Sequence, residues 1–116
     1  MEQLNRIELR GTVGSVKLQN YNDTPVAHFT LATNMAYKDK DGGPVIETSW
    51  HNVTAWAGRE IQNLESIEKG SRLYVAGRLR YQKVTGSDGV DRTYTEILAR
   101  KLTFIDDGEQ LQCELS

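Results

Sequence analysis

The sequence predicts an all-β fold, a five-stranded Greek-key barrel with one short helix between the third and fourth strands. Three observations carry that expectation. Segments of period-two alternation recur along the chain, the links between them are rich in Gly, Asn and Asp, and a single stretch after residue 56 changes to a helical spacing. With 116 residues, 38% of them hydrophobic and 26% charged, the chain is long enough for one core and too short for two ordinary domains.

The first strand covers residues 6–13, with Ile7, Leu9, Gly11 and Val13 facing one way and Arg6, Glu8, Arg10 and Thr12 the other. The Asn, Asp and Pro content of QNYNDTP, residues 19–25, reads as a loop. A second strand, 26–35, turns Phe29 and Leu31 toward the core and His28, Thr30 and Ala32 away from it. Tyr37 sits at the base of a charged connection, KDKDGGP, that makes a long hairpin with the third strand.

That third strand carries SWHNVTAWA, residues 49–57, and its alternation is unusual. His51, Val53 and Ala55 fall on one face, while Trp50, Asn52, Thr54 and Trp56 share the other. A half-buried strand usually collects its bulky rings on the core side. Two indoles among polar residues suggest a surface built to meet flat groups, and six residues at ~3.3 Å each set the rings about 20 Å apart, the spacing of separate units of one extended ligand.

Beyond Trp56, Ile61, Leu64 and Ile67 recur at intervals of three among Glu60, Glu65 and Glu68, and Gly70 supplies a stop, so a short helix is expected. The fourth strand, 72–83, turns Leu73, Val75, Gly77 and Leu79 inward. Arg72, Tyr74, Ala76, Arg78 and Arg80 point outward. TGSDGVD, residues 85–91, is a turn, and a fifth strand follows over 92–104. Three strands, a helix and two strands is the order of the OB-fold, which binds oligonucleotides or oligosaccharides on one face. The expected organisation is one OB domain over 1–105 and an acidic tail over 106–116.

Charge and composition narrow the chemistry. Net charge is −2, yet residues 1–104 hold all 14 Lys and Arg against 12 Asp and Glu, and the remaining four carboxylates lie in the tail. One cysteine, Cys113, and two histidines, His28 and His51, give no basis for an internal disulfide or a metal cluster. No cofactor is expected, and no constellation for an enzyme is present. No apolar run reaches the ~18 residues of a membrane span, and the first ten residues lack the layout of a signal peptide; a cytoplasmic, nucleoid-associated location is the expectation.

Two readings of the aromatic face stay open on residues alone. In one, Trp50, Trp56 and Tyr37 stack bases while Arg10, Lys38, Lys40, Arg72, Arg78, Arg80 and Lys83, with Tyr74 among the arginines, meet phosphates. Duplex DNA hides its base faces, so such a surface selects single strands. In the other, both indoles fill a barrel interior or a subunit interface. An oligosaccharide ligand would also stack on tryptophan, but the arginines argue for phosphate.

The segments NRIELRGTVG, HFTLATN, SWHNVTAW, KGSRLYVAGRLR and DRTYTEI, collinear over residues 5–105, resemble the bacterial single-stranded DNA-binding proteins. The resemblance implies a homotetramer that binds single-stranded DNA without sequence preference in replication, recombination and repair. It implies base stacking for Trp50, Trp56 and Tyr37 and a subunit contact for His51. Val84 stands where many members carry a further stacking aromatic, and Ala57-Gly58 replaces a common Gly-Lys. The usual long linker and acidic tip ending in Asp-Ile-Pro-Phe do not match QLQCELS. That difference supports an alternative, a primosomal-type OB-fold docking module whose DNA binding is secondary.

Overall fold

The computed structural model describes residues 2–105 and 114–115. The strands are β1 (Ile7–Tyr21), β2 (Thr24–Lys38), β3 (Pro44–Trp56), β4 (Arg72–Thr85) and β5 (Asp91–Phe104), with a two-residue β6 (Glu114–Leu115). Hydrogen bonding runs β1-β4-β5-β3-β2, and β1 also pairs with β2, so the five long strands close into a barrel. Two residues of the expected tail, in β6, lie parallel to Met35 and Ala36 of β2. Cys113 and Asp106-Asp107 fall outside the described residues.

One strand closes the barrel by serving two partners. Ile7–Thr12 of β1 pairs with β4, Thr12–Tyr21 pairs with β2, and the register shifts between Val13 and Val16. Such a bulge bends a strand and tightens its twist. A second irregularity lies between Ala76 and Gly77. There a Cβ on Gly77 would run into the Leu98 carbonyl, so only glycine permits the approach of β5. The shift also corrects the expected alternation of β4: Ala76 is buried, not outward.

The strands are longer than the sequence suggested, and the loop expected at 19–25 shrinks to two residues. Asn22 and Asp23 both adopt positive φ, 51° and 67°. That is the signature of the tight hairpin turn whose twist matches its strands, and Asn and Asp tolerate it. The polar composition therefore marks a turn tip, while Gln19 and Asn20 on one side and Thr24 and Pro25 on the other stay in the ladder.

The expected helix is a single 3₁₀ turn, Leu64–Ser66. Of the three spaced apolar residues only Leu64 lies in the turn: Ile61 precedes it in a bridge with Gly58, and Ile67 follows it in extended conformation. Ile61, Leu64 and Ile67 are all buried, closing one end of the barrel over Val13, Phe29, Leu31, Val53, Leu73, Val75 and Ile97. Leu102 N–H donates to the Glu60 carbonyl at 3.2 Å and ties this connection to β5.

Candidate nucleic-acid interface

The register of β2 and β3 is unbroken from Val26–Trp56 to Lys38–Pro44, so alternation along β3 holds throughout. Val53 and Ala55 point into the core, and Trp50 and Trp56 point outward with 61% and 42% of their surface exposed. Neither indole fills the barrel interior. Across the ladder, Ala32 lies opposite Trp50, Thr30 opposite Asn52, His28 opposite Thr54 and the fully buried Val26 opposite Trp56.

Each ring is held in place by what lies beneath it. A Cβ on Gly14 would collide with the six-membered ring of Trp50 and approach Thr30 Oγ1, so the indole lies against the bare backbone of the β1 bulge. Trp56 meets Tyr21 with ring centroids 5.5 Å apart and planes inclined at 43°, and Tyr21 is steadied by donating to Gln19 Oε1 at 2.8 Å. Alternation alone singles out neither Tyr21 nor Gly14; both need the β1–β2 register, which a bulge makes illegible.

The basic residues flank the tryptophan strand on both sides of the barrel. One row runs from Trp50 through Ala32 and Thr12 to Arg72. Beside it, the Arg10 guanidinium carbon lies 6.0 Å from the Tyr74 ring centroid, within the range of a cation–π contact. The other row runs from Thr54 through Leu98 to Arg78. Lys38 and Lys40 flank a turn in which the Asp39 carboxylate is occupied internally, accepting from the N–H groups of Asp41 and Gly43 at 2.9 and 2.8 Å. The lysines form no ion pair among the described residues.

Three predicted residues stand apart. Tyr37 pairs with Val45, which places it on the His51 side of the β2–β3 ribbon, not on the face of Trp50 and Trp56. Arg80 is not a bare cation: its Nε lies 2.9 Å from Glu96 Oε1. Lys83, on the projecting β4–β5 hairpin, lies 3.3 Å from Asp91 in an exposed pair, which holds its geometry weakly. The Thr85 hydroxyl and then Lys83 lower the Asp91 carboxyl below its ordinary value, and the Val90 N–H and then Arg92 do the same for Asp88.

A row of polar groups absent from the sequence expectations crosses the outward face. His28 Nδ1 lies 3.1 Å from Thr54 Oγ1, and Thr54 Oγ1 donates to Glu96 Oε2 at 2.8 Å. On the opposite side of β3, His51 Nε2 lies 2.9 Å from Thr33 Oγ1, and burial pushes its imidazole below the usual histidine range.

The sequence model described as the Single-strand binding protein family matches residues 4–105. The Single-stranded DNA-binding protein of Xanthomonas axonopodis pv. citri is 35% identical over 104 residues, covering 88% of this chain and 58% of that protein. The protein of the same name in Neisseria meningitidis serogroup A is 31% identical over 106 residues, covering 88% of this chain and 60% of its own length. The chain thus spans about 58 to 60% of these curated relatives. Among solved structures, the Plasmodium falciparum SSB complex with ssDNA matches with a TM-score of 0.77 at 30% identity, covering 91% of this chain and 98% of that one.

Proposed function

Because the chain belongs to the single-strand binding protein family, we propose that it binds single-stranded DNA by stacking bases on Trp50 and Trp56 and meeting phosphates with the basic residues on either side. One observation carries this reading: two indoles on one outward face, each seated from below and open above. Each stacked base contributes about 1–3 kcal/mol whatever its identity. Two platforms give roughly 2–6 kcal/mol before the cost of ordering the strand. Arg72 and Arg10 on one flank and Arg78 on the other add the salt-dependent share. Arg80 and Lys83 add less than their formal charge, since carboxylates already face them.

A strand running past Trp50 along the β2–β3 ribbon reaches Lys38 and Lys40 at its tip and passes over the edge to Tyr37. In this reading the chain works as a homotetramer that protects single strands during replication, recombination and repair in the cytoplasm. The family resemblance supports the assembly, as does Met35, exposed on the His51 side of the ribbon. Light scattering of the purified chain tests it.

The decisive variant is Trp50→Ala with Trp56→Ala. Both rings are largely outside the core, so the fold persists while affinity for an oligo-dT falls at least tenfold. Unchanged affinity in a folded double variant would sink stacking and leave the docking-module reading in its place.

A further inference from the structure

The outward face that holds Trp56 does not end at β3. Thr54 pairs with Leu98 and its hydroxyl reaches Glu96, so the face continues onto β5. Alternation carries it two residues further along that strand, to Tyr94. Between β4 and β5 the register runs unbroken from Arg78–Leu98 to Thr85–Asp91, which sets Gln82 directly opposite Tyr94. Gln82 also borders a hollow of about 240 Å³, to which Trp56 and Tyr21 contribute from β3 and β1 and Arg80 and Gln82 from β4. Side chains directly opposite in a ladder lie roughly 5 Å apart at Cβ, so Tyr94 stands at the rim of that hollow away from Trp56.

The ring is unoccupied by the fold. Among the described residues the Tyr94 hydroxyl makes no hydrogen bond and its ring no aromatic contact, and 53% of its surface is exposed. Val84, diagonally across on the same face, is aliphatic and has no π-face to offer. The cations of this hairpin are already faced by carboxylates: Lys83 lies 3.3 Å from Asp91, and Arg92 3.0 Å from Asp88. What the hairpin presents beside the hollow is therefore a flat ring rather than free charge. Tyr81, although 69% exposed, lies opposite Thr95 on the other face, the one that carries the buried Ile97.

We propose that Tyr94 is a third base-stacking platform, supplied by β5, which receives the strand after it has passed Trp56 and crossed the hollow. The proposal rests on the single-strand reading above and extends it, carrying the path of the strand from the β2–β3 ribbon across the barrel to the β4–β5 hairpin.

The test titrates the natural protein, Tyr94→Ala, Tyr94→Phe and Tyr81→Ala with oligo-dT of about 16 nucleotides, the upper end of the range covered by one OB-fold, at two salt concentrations, with thermal melts to confirm folding. Tyr94→Ala is expected to lose about fivefold or more in affinity, the lower bound for one stacked base, while Tyr94→Phe, which keeps the ring, and Tyr81→Ala stay within about twofold of the natural protein. The loss is expected to be the same at both salt concentrations, because stacking releases no counterions. Unchanged affinity in Tyr94→Ala would overturn the platform. So would an equal loss in Tyr81→Ala, which would trace the effect to the hairpin itself, or an equal loss in Tyr94→Phe, which would assign the contact to the hydroxyl. A loss that disappears at high salt would overturn it as well, by assigning the effect to displaced phosphate contacts. If the natural protein binds no oligo-dT, the single-strand reading itself fails, a result distinct from a Tyr94→Ala protein that binds as the natural one does.

Discussion

At the scale of single residues, the interface depends on an atom that is absent. Gly14 has an ordinary backbone, so alanine there is limited by the space that the Trp50 ring and the Thr30 hydroxyl occupy. Gly14→Ala is expected to lift that indole and to cost up to the worth of one stacked base, about 1–3 kcal/mol. Titration with oligo-dT alongside a thermal melt checks this; an unchanged affinity would mean that the ring does not need its seat. His51 makes a second prediction. Its folded pKa lies below the ~6.5 of a free imidazole. The unfolded chain therefore takes up the proton first, and stability, complete above about pH 6.5, falls as the pH is lowered from there toward the folded pKa. Melts at pH 7.5 and 5.5 should show this drop, and His51→Gln should flatten it. The exposed indoles were legible in the sequence because alternation alone fixes the face of a strand residue. Glu96 was not, because it meets Thr54 only through the β3–β5 pairing, 42 residues away in the chain.

Among the elements, the β1–β2 hairpin shows how composition and pattern divide. QNYNDTP reads as a loop by its residue types, yet only Asn22 and Asp23 leave the ladder. Asp23→Gly removes the Cβ from a left-handed position and makes Asn-Gly, the preferred pair for this turn. It is expected to stabilise by about 0.5–1 kcal/mol and to raise Tm by about 2–6 °C. A lower Tm would show that the Asp23 side chain matters more than its backbone strain. The 3₁₀ turn was legible in its burial and not in its type. Ile61, Leu64 and Ile67 announced the apolar side, but the spacing is not a helical repeat, since a left-handed Asn63 separates Ile61 from the turn and Ile67 follows it in extended conformation. Strand ends were the least legible part, since β1 runs through a bulge that breaks its alternation between Val13 and Val16.

On the scale of the molecule, closure of the barrel places basic residues on both flanks of the tryptophan strand although the chain carries a net charge of −2. The order of elements along the chain and the Greek-key class were readable from the sequence. The sides on which Tyr37 and Arg80 work were not, because they depend on the hairpin register and on the pairing with Glu96. The central claim is that bases of a single strand lie against Trp50 and Trp56. Titrating the protein with oligo-dT at two salt concentrations while following tryptophan fluorescence, with a duplex of equal length as control, tests it directly. The account predicts quenching by the single strand alone, with weaker affinity at high salt and a quench that persists in the complex, since stacking is less screened than phosphate pairing. No quenching, or an equal response to the duplex, would contradict it and move both rings to a protein–protein contact.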